Sequence, residues 1–269
     1  MDGQVYSSVA VRAKSRAKHT VRVFLWIFEH WLLVFTTLFG AFIVAPFLAP
    51  VFMRLGWSGA AEVIYGIYSN FCHQMAQRCF FMFGPQQMYN IAQLPLNLSG
   101  RDMNADMLTV RAFIGTPDLG WKVAWSDRMV YMYSAVWLAG LVYGFVRRRR
   151  RVWPLGFLGF GLLLLPMVVD GGTHMLSDMI NGLATGFRYD NAWLATLTAN
   201  KLPHWFYYGD AFGSFNSWMR LVSGLLFGIA IVWVAFPHID ESLQEAARTL
   251  RAKLERAAAR EVSVQPTTL

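Results

Sequence analysis

Four stretches of the chain are apolar on every face: 23–48, interrupted only by Glu29 and His30, then 129–146, 152–169 and 218–236. Each is long enough to cross about 30 Å of hydrocarbon. None alternates with the period of two that marks a barrel strand. The pattern predicts an all-α polytopic membrane protein with four transmembrane helices. Pro46, Pro154 and Pro166 fall near the expected span ends, where a missing amide N–H does least harm. A weaker run, Ser58 to Phe71, carries Glu62, Tyr65 and Tyr68. It reads as a short interfacial or re-entrant helix leading into an outward loop subdomain.

On either side of this 23–236 membrane domain the pattern changes. Residues 1–22 form a basic, polar leader, and the apolar run behind it is too long for a secretory signal. Residues 237–269 read as a cytoplasmic amphipathic helix. Ser242 and Glu245 fit a capping box there. Leu243, Ala247, Leu250, Leu254 and Ala257 recur at near-heptad intervals, which suits a helix resting on lipid or on a partner.

Composition agrees. Of 269 residues, 55% are hydrophobic and only 15% charged, against about a quarter in soluble domains. Disorder and a water-soluble enzyme are excluded as first readings. The 21 Phe, 11 Trp and 10 Tyr suit membrane–water boundaries. The net charge of +8 is unevenly spread. Arg12, Lys14, Arg16, Lys18 and Arg22 sit in the leader, and the second and third spans are joined by Arg147 to Arg151 alone. The tail carries five basic residues against five acids, whereas 171–217 has two against three. Both termini and the arginine link are therefore expected in the cytoplasm, with the large loops on the outer side of the membrane. The arginine run reads as a topology anchor on anionic headgroups, not as a nucleic-acid surface.

With that topology, polar groups gather at one depth on the outer side. Asp127 and Arg128 open the second span, Asp170 closes the third with His174 beyond it, and Asn216 and Arg220 open the fourth. Asp170 and His174 share a face if the helix persists through Gly171 and Gly172, and a tight turn there is the alternative. An ionisable group at the hydrocarbon boundary needs a partner, so Asp170 is expected between Arg128 and Arg220. Such an Arg–Asp–Arg lock could be purely structural. A site for a metal, an anion or a small polar substrate is the competing reading. In the metal version Cys72, His73, Asp170 and His174 would ligate a transition metal such as zinc or copper.

Cys72 and Cys79 can be read as a disulfide, as free buried thiols or as ligands. On one continuous helix they would stand two turns apart, too far for a bond. His30 could serve as a heme ligand or, with Glu29, in a proton relay, but a histidine bonded to a neighbouring helix is the commoner case. His204, beside Trp205, Tyr207 and Tyr208, reads as interfacial packing.

Several of these elements resemble the DUF2085 family of bacterial integral membrane proteins. They are Cys72-His73-Gln74 with Arg78, Phe80-Phe81 and Gly84, then Leu119 to Arg128 with Tyr133, then Pro166 with Asp170-Gly171, and finally Ser214, Asn216, Arg220 and Gly224. The likeness covers about residues 60–235, with the elements in the family's order. Ser126 stands where that family often has cysteine, Met129 where it has cysteine or aspartate, Cys79 where serine is usual, and His174 near a common glutamine. The resemblance implies the membrane fold and no particular reaction. The leading functional expectation is a non-enzymatic accessory subunit or small binding protein, in the bilayer and in contact with other membrane subunits. The alternatives are a metal-binding or redox-active protein, and an enzyme or transporter of anions or lipid headgroups. In the last, Arg128 and Arg220 would clamp the substrate and Asp170 or His174 would act as base.

Overall fold

The computed structural model describes residues 18–100 and 102–264, with backbone alone for 260–264; most of the basic leader lies outside the described residues. Helix α1 covers 18–29 and passes into α2 (Trp31–Arg54) over His30. The His30 N–H still bonds Trp26 O at 2.9 Å, and its carbonyl accepts from Val34. Then come α3 (Ser58–Tyr68), α4 (Met103–Ala112), α5 (Asp127–Arg147), α6 (Phe157–Asn181), three short helices α7 (Phe187–Asp190), α8 (Ala192–Leu197) and α9 (His204–Tyr207), and a long α10 (Phe215–Val264). Four of these, α2, α5, α6 and α10, are long and apolar enough to cross a membrane. The re-entrant reading of 58–71 finds its counterpart in α3, which folds back so that Tyr68 OH reaches Phe42 O in α2 at 2.7 Å.

Three expectations need correction, the first in part. The chain is mostly helical, as expected, but carries one small sheet: β1 (Cys79–Met82), β2 (Gly115–Thr116) and β3 (Gly120–Ser126) pair antiparallel in the order β1–β3–β2. Gly120 is required in it, because its φ is +79° and an added Cβ would stand 2.3 Å from Met82 O. The third span starts later than expected and runs to Asn181, straight through Gly171 and Gly172. The fourth span and the tail are one helix. Pro237 does not end it, and Ser242 and Glu245 lie inside it, so they cap nothing.

Two of the helical prolines, Pro46 and Pro237, are accommodated by donors from elsewhere in the chain. A helical proline strips its hydrogen bond from the carbonyl four residues earlier. For Pro237 that carbonyl is Trp233 O, which accepts from Leu155 N in the arginine link at 2.9 Å. For Pro46 it is Phe42 O, the acceptor of the Tyr68 hydroxyl. In a hydrocarbon surrounding an orphaned carbonyl is costly, so these two prolines fix where a neighbouring segment must sit.

Helices α5 and α10 run parallel and pack closely along a run of small residues. A Cβ at Gly228 would stand 2.5 Å from the Ala135 Cβ and 2.6 Å from the Val136 nitrogen, and one at Gly224 would meet Tyr131 Cβ at 3.0 Å. Spacing four apart puts both glycines on one face, the arrangement that lets two helices approach in lipid. Helix α6 packs on α10 at another side. Towards the arginine-link end, Trp31, Tyr143 and Phe236 form the core; towards the loops, Tyr65, Tyr68, Val123 and Trp125 do. Beyond Pro237 the helix rests on the chain's own α1. Ala247 is buried there and Arg251 pairs with Glu29. His30 Nδ1 is 3.0 Å from Trp26 O and its ring stacks on Trp26.

Replacing Gly228 by Ala is expected to destabilise the bundle by about 1–3 kcal/mol, because the new methyl meets backbone that cannot swing away. Gly161→Ala, which points into open space, is the control and should leave the unfolding midpoint in detergent unchanged or slightly raised.

Candidate functional site

Because α6 stays helical past Gly172, Asp170, His174 and Asp178 fall on one stripe at intervals of four. Strand β3 runs directly into α5 and fixes Asp127 at its start; the first turns of α10 supply Asn216, Arg220 and Ser223. Three loop elements complete the cluster: Arg78 from the 3-10 turn Ala76–Arg78, Arg188 from α7, and Asp210 from the turn before α10.

The pairings are specific. Arg220 Nε donates to Asp127 at 2.6 Å, and its Nη1 to Asp210 at 2.8 Å. Arg78 reaches Asp210 through Nε at 2.8 Å and holds both oxygens of Asp178, at 2.8 and 3.0 Å. Asp170 lies between Arg128, at 2.9 Å, and Arg188, at 2.5 Å. His174 bridges the two halves, with Nε2 3.3 Å from Asp210 and Nδ1 3.6 Å from Asp170. Asn216 Nδ2 donates to the Arg188 and Gly209 carbonyls, tying α7 and the following loop to α10. Asp127, Asp170, Asp210 and Arg220 are each at most 1% exposed. Four aspartates face four arginines, so the cluster is formally neutral around His174. Burial alone would raise the Asp210 carboxyl, but Arg78 and Arg220 outweigh it and hold it well below the ordinary carboxylate range.

All six residues of the expected polar cluster, Asp127, Arg128, Asp170, His174, Asn216 and Arg220, meet in this network. The expected lock is corrected in one pairing. Arg220 binds Asp127 and Asp210, and Arg188 takes the place foreseen for it beside Asp170. Arg188, Asp178 and Asp210 were missed, although 171–217 holds so few charges that each buried one had to serve a pairing. Arg188 and Asp210 lie in segments joined to the bundle only by long-range folding, of which local spacing carries no sign, whereas Asp178 continues the four-residue stripe of Asp170 and His174 and could have been found from it.

The metal set is not assembled. Cys72 packs against Tyr65, Tyr68 and Trp125, His73 is exposed, and Asp170 and His174 belong to the ion-pair network. Among the described residues no three His, Cys, Asp or Glu side chains are grouped to hold a metal ion. Zinc or copper therefore lacks the expected ligands. Nor is there a disulfide: Cys72 and Cys79 are free, buried thiols. Cys79 starts β1 opposite Ser126, while Cys72 Sγ accepts from the Gln74 and Ser126 amides at 3.3 and 3.4 Å. Burial pushes the Cys79 thiol upward, away from the reactive thiolate.

The Cys72-His73-Gln74 segment is instead a brace. Gln74 adopts a left-handed φ of 51°, and its amide donates to the Tyr65 and Ala124 carbonyls, both at 3.0 Å. Its own carbonyl accepts from Lys122 Nζ at 2.8 Å, and Arg111 O accepts a second bond from that ammonium at 2.6 Å. Lys122 is fully buried in the central strand, and burial pulls its ammonium down to about 8. His204 is exposed and stacks on Tyr208.

Asp210→Asn is expected to cost about 3–5 kcal/mol, because buried Arg220 loses one of its two counter-charges. The pH dependence has a definite sign. The folded-state carboxyl lies below the ordinary 3.8, so its contribution is complete above that value and is lost as pH falls through it. The wild-type unfolding midpoint should therefore decline below about pH 4, and the decline should be shallower in the variant. Equal acid sensitivity in both would contradict the assignment.

No family model matches the chain. An uncharacterized protein of Methanocaldococcus jannaschii is 27% identical over 168 residues, which span 59% of this chain and 84% of that relative. No solved structure matches.

Proposed function

We propose that the protein is an integral membrane protein of the bacterial cytoplasmic membrane, with both termini in the cytoplasm, and that it acts as a non-enzymatic accessory or small binding protein. The reading includes kinship with the DUF2085 family, on the motifs quoted above. Its orientation rests on the arginines at one end of the bundle and their scarcity in the loops at the other.

The observation that carries the non-enzymatic reading is the pairing of every carboxylate of the loop-end cluster with an arginine. Its most central members are closed off from solvent. A general base needs a free lone pair within reach of substrate, and an anion clamp needs a guanidinium not already engaged. Arg128 and Arg220 are both engaged. What the network does is bolt a loop subdomain onto the membrane helices, holding it as a rigid surface for a partner.

Purification from native membranes in mild detergent tests this directly. A second membrane chain is expected to co-migrate with the protein, at a mass by light scattering above that of the monomer. Recovery only as a lone monomer would overturn the accessory role. For the orientation, a fluorescent reporter fused after Leu269 should mature, whereas an export-dependent phosphatase at the same position should stay inactive; the reverse result would invert the topology.

A further inference from the structure

At the arginine-link end, segment 148–156 crosses over α10 and is anchored by the Leu155–Trp233 hydrogen bond. Between this link and α10 lies a cleft of about 660 Å³. Arg150, Arg151, His238 and Arg248 line it, together with Trp153. Arg147 and Asp240, which also border it, are spent on each other. Asp240 additionally accepts from Trp31 Nε1 at 2.8 Å and Gln244 Nε2 at 2.9 Å. The remaining acids on its wall are Glu241 and Glu245, both exposed on α10. Among the described residues, no carboxylate lies within ion-pairing distance of Arg150, Arg151 or Arg248. The cleft therefore keeps three guanidinium groups against two carboxylates.

Its surroundings name the occupant. The Arg151 guanidinium is stacked 4.4 Å over the Trp153 ring, which holds the charge beside a residue suited to the membrane–water boundary. Immediately beyond Pro154, α6 begins with Phe157 and Leu158, 92% and 76% exposed. A molecule seated here meets arginines at one end and bare hydrocarbon-loving side chains at the other. Soluble anions match only the first half of that surface.

We propose that this cleft binds the phosphate headgroup of an anionic phospholipid, with its acyl chains laid against the start of α6. The lipid would bridge the link to the cytoplasmic part of α10, next to the Arg147–Asp240 pair that joins α5 to that helix.

The test uses the full chain in detergent, titrated with dioctanoyl phosphatidylglycerol, dioctanoyl phosphatidylcholine or inorganic phosphate while the unfolding midpoint is followed. Phosphatidylglycerol is expected to raise the midpoint saturably, with little effect from the other two. The combined variant Arg150→Gln, Arg151→Gln and Arg248→Gln replaces exposed side chains and should fold as the parent does. It should raise the half-saturating concentration by about tenfold or more. Arg149→Gln, whose parent side chain stacks on Phe145 outside the cleft, should leave it unchanged. Equal stabilisation by phosphatidylcholine would overturn the proposal. So would saturation by inorganic phosphate at the same concentration, which would make the site one for a free anion. An equal loss in Arg149→Gln would overturn it too, since diffuse charge would then account for binding.

Discussion

Helices α5 and α10 are fastened to each other at both ends by ion pairs of opposite sense. On α5, Asp127 stands at one end and Arg147 at the other; on α10, Arg220 faces the aspartate and Asp240 faces the arginine. Twenty residues separate the charges on each helix, about 30 Å of helical rise, which equals the thickness of a hydrocarbon core. A sliding of one helix by a single turn would break both pairs together and leave buried charges alone in a low dielectric. Between the two bolts, Gly224 and Gly228 remove the side chains that would keep the backbones apart. The register of the central pair is thus set by charge at its ends and by small size in its middle.

The same intolerance of unpaired polar groups explains how the periphery is placed. Pro46 and Pro237 each release a helical carbonyl, and each carbonyl draws a donor from a segment far away in sequence. One positions α3 against α2, the other positions the arginine link over α10. At the loop end, Asp178 and Asp210 draw in Arg78, and Asp170 draws in Arg188, from two different loops. The cost of burying so many charges is offset only because they arrive together, which makes the loop subdomain and the bundle a single cooperative unit. The two ends consequently differ in kind. Charges at the loop end are enclosed and spent on one another, whereas several at the arginine-link end stand unpaired beside an open cleft.

Hydropathy along the chain determined the number of long apolar helices and their approximate places, because a run that is apolar on all faces has few other ways to be satisfied. It also marked Asp127, Arg128, Asp170, His174, Asn216 and Arg220 as neighbours, since isolated charges beside such runs must find one another. Tertiary structure alone decided the partners. Whether Arg220 met Asp170 or Asp127 depended on the rotation of α10 against α5, which two glycines and a pair of terminal salt bridges set across the fold. The β1–β3 pairing, the brace made by Gln74 and Lys122, and the helix that continues through Pro237 rest on hydrogen bonds between residues about 40 to 80 positions apart. Periodicity reports only which side of a segment is apolar, so it has no access to bonds of that range.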